Sequence, residues 1–286
     1  MNILVTGSNG QLGTEIHNRS YRFPQHSWLF ADIVANDLET VILDITDEAA
    51  VRRLVADNHI DLIINCAAYT NVDRAEEDEA AAERLNAEAV RILGSAGTRI
   101  IHISTDYVFS GEGWIPCRED DPVAPRTAYG RTKLHGEEAL LSVNPDAVII
   151  RTAWLYSPYG NNFVKTMLRY GRERDKLTVV YDQVGTPTYA GDLAEAILSV
   201  LNAPEWHAGI YHYTNEGVCS WYDFTVEILR QAGIECRVEP ILSSQYQYKT
   251  PRPHYSVLDK AKIRSTFGID IPYWTDGLSR CLAAMA

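Results

Sequence analysis

Short apolar runs alternate with longer segments of mixed polarity through the first half of the chain. Asn2 to Thr6 (NILVT), Trp28 to Asp32, Val41 to Asp44, Asp61 to Cys66 (DLIINC), Arg99 to Ser104 (RIIHIS) and Ala147 to Thr152 (AVIIRT) read as strands. They are rich in Ile and Val, and several lack polar alternation, the pattern of strands buried on both faces. Between them, Gln11 to Arg19, Asp47 to Asn58, roughly Glu79 to Ala96, and residues 128 to 142 carry helical patterning. Strands and helices alternating at this spacing predict right-handed crossovers and an α/β, doubly wound parallel sheet. After about residue 152 the texture changes to more Tyr, Trp and Pro and shorter elements. One further pair, Leu177 to Tyr181 and Asp192 to Leu201, fits a return to the sheet, so 177–203 is assigned with residues 1–152. Residues 153–176 and 204–286 are left for a smaller, discontinuous, C-terminal substrate domain.

Composition narrows the partners. The chain has 286 residues and is 46% hydrophobic, enough for a substantial core of the ordinary globular kind. No stretch approaches the ~18 uninterrupted apolar residues of a membrane helix, and MNILVTGSNG has neither the basic nor the apolar region of a signal peptide. Cysteines 66, 117, 219, 236 and 281 are odd in number, widely spaced and never CxxC, which argues against a disulfide framework or zinc site and for a reducing cytoplasm. A net charge of −12 without any Lys/Arg run argues against nucleic acid and anionic membranes. An anionic ligand must therefore be met by a few placed cations and backbone amides. The run from Asp73 to Glu83 (DRAEEDEAAAE) reads as a solvated acidic helix face, and no metal site is predicted there or at Glu15.

The first predicted strand runs directly into Gly7-Ser8-Asn9-Gly10-Gln11-Leu12-Gly13. Between a strand and a helix, three glycines at this spacing let the chain turn, let backbone approach a pyrophosphate, and let helix pack on strand. This predicts a Rossmann dinucleotide site, and the lack of GK[ST] rejects a triphosphate P-loop. Asp32 ends the second strand, where a carboxylate can accept from the adenosine ribose hydroxyls and repel a 2′-phosphate. Ile33, Val34, Ala35, Asn36 and Asp37 offer no cation. NADH is the expected cofactor, with NADPH as the less favoured form.

Tyr129 lies four residues ahead of Lys133 in PRTAYGRTKLHGEE, one turn apart on a predicted helix. Alone the pair is as compatible with a surface contact as with chemistry. Thr105 changes the balance, because it ends a buried strand and ligands of open α/β sheets bind beyond strand carboxyl ends. A hydroxyl, a phenol, a lysine and a dinucleotide loop suit hydride transfer to or from a carbonyl. Tyr129 would supply the proton, Thr105 would orient the carbonyl, and the Lys133 ammonium would pull the phenol below its usual pKa.

Gly7-Gly10-Gly13, Asn65-Cys66-Ala67-Ala68, Ser104-Thr105 and Tyr129-x-x-x-Lys133 together resemble the extended short-chain dehydrogenase/reductases that act on nucleotide sugars. Within them the chain is most similar to the dTDP-4-dehydrorhamnose reductase branch. That resemblance rests on Ala68-Tyr69-Thr70-Asn71-Val72-Asp73, Ser104-Thr105-Asp106-Tyr107-Val108-Phe109-Ser110-Gly111, Tyr129 to Lys133, Arg151 to Tyr156, Gly160 to Phe163 and Asp182 to Thr188, with Arg252-Pro253 and Leu258-Asp259 as weaker echoes. It implies reduction of the C4 keto group of dTDP-4-dehydro-β-L-rhamnose to dTDP-L-rhamnose by a monomer or homodimer. Tyr129 would be the proton donor, Lys133 would hold the nicotinamide ribose, Thr105 and Asp106 would contact the sugar, and Trp154 would line its pocket. Gly10, Gln11, Leu12, Asp32, Asp44, Ile45, Cys66, Ala67 and Ala68 would touch the cofactor.

Asn162, Lys165, Arg169 and Arg252 are the candidates for meeting the substrate diphosphate, Asn162 and Arg252 foremost. Three other readings share the fold. A 4,6-dehydratase typically carries an Asp-Glu pair after the threonine, and here Tyr107 follows Asp106. A 4-epimerase is usually longer, and a non-catalytic regulatory subunit has no need of intact Thr105, Tyr129 and Lys133.

Overall fold

A computed structural model describes residues 1–36 and 39–285. Strands β1 (Asn2–Thr6), β2 (Ser27–Asp32), β3 (Val41–Ile42), β4 (Leu62–Asn65), β5 (Arg99–Thr105) and β6 (Val148–Thr152) lie on the apolar runs. Shorter strands follow: β7 (Leu155–Tyr156), β8 (Lys176–Val180), β9 (Val184–Gly185), β10 (Thr188–Tyr189), β11 (Gly209–His212), β12 (Cys219–Ser220) and β13 (Arg237–Ile241). The central sheet has seven strands in the order β11-β6-β5-β4-β1-β2-β3, and all its pairings are parallel. This is the doubly wound Rossmann-like α/β class. Strand order reverses between β1 and β4, so the ligand crevice of such a sheet opens where Gly7 follows β1 and Cys66 follows β4.

The helices that matter to the site are α1 (Gln11–Ser20), α2 (Glu48–Asp57), α3 (Val72–Glu77), α4 (Glu79–Glu83), α5 (Ala89–Gly94), α6 (Ala128–Val143), α7 (Phe163–Glu173), α8 (Ala190–Leu201) and α9 (Trp221–Gln231). Their starts are chemically marked. The Asp47 carboxylate accepts from the Ala50 amide at α2, and the Thr127 hydroxyl from the Gly130 amide at α6. The helix expected over 79–96 is α4 and α5 joined by a π-helical turn at Arg84–Glu88.

Strand alternation divides the core. Ile3, Val5, Ile64, Ile101 and Ile150 pack with Ile16 and with Leu193 and Ile197 of α8 on one face. Leu4, Ile63, Ile100 and Ile149 pack with Val51 and Val55 of α2 and Val90 and Leu93 of α5 on the other. Both faces are thus covered, as a parallel sheet requires. A separate cluster of Tyr156, Val164, Leu168, Phe224, Ile228 and Trp274 holds the C-terminal part together.

Two segments depart from the sequence expectation. The predicted strand Leu177 to Tyr181, seen as β8, does not rejoin the sheet but pairs with β13. Its burial alternates, with Lys176 and Thr178 exposed, which suits a small two-stranded layer. The seventh strand is instead β11, inside the segment expected to be wholly substrate-side, where it pairs with β6. Its GIYH sequence lacks an Ile/Val run. Of residues 177–203, only α8 packs on the sheet. No described helix is long and apolar enough to cross a membrane.

Candidate active site

The chain leaves β1 at Gly7 with φ +67, and a Cβ there would lie 2.5 Å from the Ala67 amide nitrogen. A Cβ at Gly13 would lie 2.4 Å from the Gly7 carbonyl oxygen. The loop is therefore pressed against the end of β4 and against itself, and only glycine fits. Gly10 begins α1 with no side-chain cap, so the first-turn amides and the positive end of the helix dipole remain available to an anion. Leu12 turns into the core. The Asp32 carboxylate accepts from the Asn9 amide at 3.0 Å and the Ile33 amide at 2.8 Å. Each oxygen keeps capacity for a further donor, as a ribose hydroxyl would require. This cradle fits a dinucleotide.

Other expected cofactor contacts are more mixed. Cys66, Ala67 and Ala68 sit partly buried after β4 beside Gly7, and burial pushes the Cys66 thiol up to about 12, leaving it neutral. The Asp44 carboxylate accepts from the Thr46 amide and hydroxyl, a turn that leads into α2. Ile45 is in the core with Val51 and Val55. Asp37, part of the cation-free stretch after Asp32, lies outside the described residues.

Thr105 closes β5 and Tyr129 lies in the first turn of α6, which brings the two hydroxyls together. The Thr105 hydroxyl donates to Asp106 Oδ1 at 3.0 Å, and the Tyr129 ring packs edge-on against Tyr107 at 5.4 Å. Burial pushes the Tyr129 phenol up to about 12; the Thr105 hydroxyl opposes the rise and Asp106 adds to it. Burial likewise pushes the Asp106 carboxyl up to about 7.

This corrects the expectation that Lys133 lowers the phenol. The lysine shares a helix face with Tyr129, but its Nζ turns to β5, donating to the Ile103 carbonyl at 2.7 Å and lying 3.3 Å from His102 Nε2. Burial lowers Lys133 to about 8, with Glu137 one turn on opposing the fall. Tyr129 is thus held as a neutral phenol, the form that can give up a proton.

Trp154 follows β6 at φ +49, a strained backbone for an indole, and stacks on Trp221 with ring centres 3.5 Å apart. Arg252 lines a cleft with Tyr107, Phe109 and Gly111. Its Nη2 pairs with Asp73 at 3.0 Å, and its buried Nη1 has no hydrogen bond among the described residues. Asn162 behaves differently from expectation. Its Oδ1 caps α7 through the Lys165 amide, while its Nδ2 donates to Gln11 Oε1 at 3.1 Å and Ser157 O at 2.7 Å. Committed on both ends, it ties the 157–162 loop to the glycine loop instead of offering an amide to a diphosphate. Lys165 donates to the Pro158 carbonyl and Arg169 lies over Tyr170, so neither is drawn toward Thr105.

Two buried groups escaped the motif reading. One is the chain Thr6–Asn65–His102–Lys133; the other is the Glu137–Arg151 ion pair, which also takes the Ser104 hydroxyl. The visible signal for both was a polar residue inside an apolar strand, His102 in RIIHIS and Arg151 in AVIIRT.

A dinucleotide cradle at the switch point, an acidic end to the second strand, and a Thr-Tyr-Lys constellation on β5 and α6 together define an extended short-chain dehydrogenase/reductase. The whole chain, residues 1–286, matches the family described as the RmlD substrate binding domain, and it belongs to that family. It is 42% identical to a probable dTDP-4,6-dihydroxy-2-methyloxan-3-one 4-ketoreductase of Streptomyces antibioticus, over 97% of this chain and 93% of that one. The crystal structure of a dTDP-4-dehydrorhamnose reductase from Clostridium acetobutylicum superposes with a TM-score of 0.93 at 42% identity, covering 100% of this chain and 99% of the other. A dTDP-4-dehydrorhamnose reductase from Bacillus anthracis in complex with NADP gives 0.91 at 34% identity, with the same coverage.

Proposed function

We propose that this protein reduces the C4 carbonyl of dTDP-4-dehydro-β-L-rhamnose to give dTDP-L-rhamnose. The observation that carries this reading is the meeting of the Thr105 hydroxyl and the neutral Tyr129 phenol at the carboxyl end of β5. When bound, a reduced nicotinamide supplies the hydride. The Thr105 hydroxyl orients the carbonyl oxygen, and Tyr129 passes its proton to that oxygen as negative charge develops. Lys133 holds the nicotinamide ribose. Asp106, Trp154 and Arg252 hold the sugar nucleotide, Arg252 through its uncommitted Nη1. Gly7, Gly10, Gln11, Leu12 and Gly13 carry the pyrophosphate, Asp32 the adenosine ribose, and Asp44, Ile45 and Cys66 to Ala68 the cofactor's flanks. Residues 1–152 with α8 and β11 form the cofactor side and the remainder the sugar side. All five cysteines are free thiols, which suits a reducing cytoplasm.

Tyr107 stands where elimination would need a second carboxylate, so dehydration is not expected. Incubated separately with dTDP-glucose and with the 4-keto precursor, the enzyme should consume NADH only with the second. Dehydration of dTDP-glucose, or turnover without net NADH loss, would favour a dehydratase or epimerase.

Asp32 supports NADH as the preferred cofactor, because a second anion beside its carboxylate is repelled. NADH should show the higher kcat/KM, and Asp32→Ala should narrow the gap. A clear NADPH preference in the unaltered protein would contradict this assignment.

A further inference from the structure

Lys133 is 1% exposed and His102 fully buried, and the hydrogen bonds around them can be followed back to a group whose role is unambiguous. The Ala67 backbone N–H can only donate, and it points at Asn65 Oδ1 at 3.1 Å. That fixes the Asn65 amide. The Thr6 hydroxyl donates to the same oxygen at 2.7 Å, and Asn65 Nδ2 then faces His102 Nδ1 at 3.0 Å. Nδ2 is a donor, so Nδ1 must accept. An Nδ1 that accepts carries no proton, and burial holds the imidazole well below its ordinary pKa, so the ring is neutral and carries one proton. That proton is on Nε2, which lies 3.3 Å from Lys133 Nζ.

An ammonium has three donors and no acceptor, and against Nε2–H it would place hydrogen against hydrogen. A neutral amine has the lone pair this contact needs, and can still donate to the Ile103 carbonyl at 2.7 Å. We infer that His102 is a positioning residue: oriented by Asn65, it donates from Nε2 to Lys133 and biases that lysine toward the neutral amine. This deepens the reading of Lys133 proposed above. The lysine would hold the ribose through the remaining N–H. The other charged groups that bear on this pair are Glu137 on α6, which acts on Lys133, and Arg151 on β6, which is paired with Glu137. Neither is a hydrogen-bond partner of His102.

The test reads the imidazole directly and needs no sugar substrate, so its failure is separate from failure of the reductase reading. In the full chain with 15N-labelled histidine, two-bond proton–nitrogen spectra should show His102 as the Nε2–H tautomer from pH 6 to 9. In Asn65→Asp, the new carboxylate accepts from Nδ1–H, so the tautomer should switch. Nε2 would then accept from the Lys133 ammonium, moving the lysine's titration and any matching limb of the kcat/KM profile upward by ~1 pH unit or more. Because the new carboxylate also adds charge, the tautomer is the deciding readout. An Nδ1–H tautomer or an imidazolium in the unaltered protein overturns the inference, as does an unchanged tautomer in a folded Asn65→Asp. Should that variant not fold, the spectrum of the unaltered protein still decides.

Discussion

Tyr129→Phe should lose about 10²- to 10⁴-fold in kcat, the usual worth of a positioned general acid. The substitution removes one oxygen and keeps the ring that packs edge-on against Tyr107. The helix cap at Thr127 and the Lys133 contacts with β5 do not involve the phenol oxygen, so thermal stability and NADH affinity should hardly change. The selective loss is the diagnostic feature. Stopped-flow reduction and cofactor titration measure the two quantities separately. A phenylalanine variant that reduces the 4-keto sugar at close to the parental rate would remove Tyr129 from its role as acid.

The second large effect is on stability. Glu137 and Arg151 are both nearly inaccessible, with Arg151 Nη2 2.6 Å and Nε 2.9 Å from the carboxylate. Glu137→Ala leaves that guanidinium buried without its counter-charge and the Ser104 hydroxyl without its acceptor. Breaking one side of such a pair costs about 3–5 kcal/mol, whereas replacing both sides with apolar groups is often close to neutral. In a chain of this size the single variant should melt on the order of 10 °C lower, and Glu137→Leu combined with Arg151→Met should recover much of the loss. Calorimetry checks both. A single variant melting within a degree of the parent would show that solvent or rearrangement satisfies Arg151.

What the sequence revealed of the fold follows from burial. β1, β4, β5 and β6 announced themselves because strands covered on both faces must be short runs of Ile, Val and Leu, a pattern that half-buried strands and surface helices do not share. β11 did not, since its interior contacts are made by Tyr211 and His212. β8 looked like a sheet strand because apolar residues and length do not name a pairing partner. The glycine loop was legible for a steric reason, as any Cβ at Gly7 or Gly13 collides with backbone.

At the site, spacing identified which residues share a helix face but not where their side chains end. The i,i+4 relation between Tyr129 and Lys133 suggested an ammonium beside the phenol. The lysine instead finds the Ile103 carbonyl and His102, partners from another strand that no local spacing encodes. Asn162 misled in the same way. A polar residue in a loop suggested ligand contact, while its neighbours three residues on and Gln11 across the crevice already satisfy it.

NADH dideuterated at nicotinamide C4, supplied with dTDP-4-dehydro-β-L-rhamnose, reports C4 reduction at this site directly. Direct hydride transfer, with Tyr129 supplying only a proton, predicts one deuterium at sugar C4 in every product molecule and one NADH consumed for each. Product without deuterium at C4, or formed without matching NADH oxidation, would contradict the assignment of this site as a C4 ketoreductase.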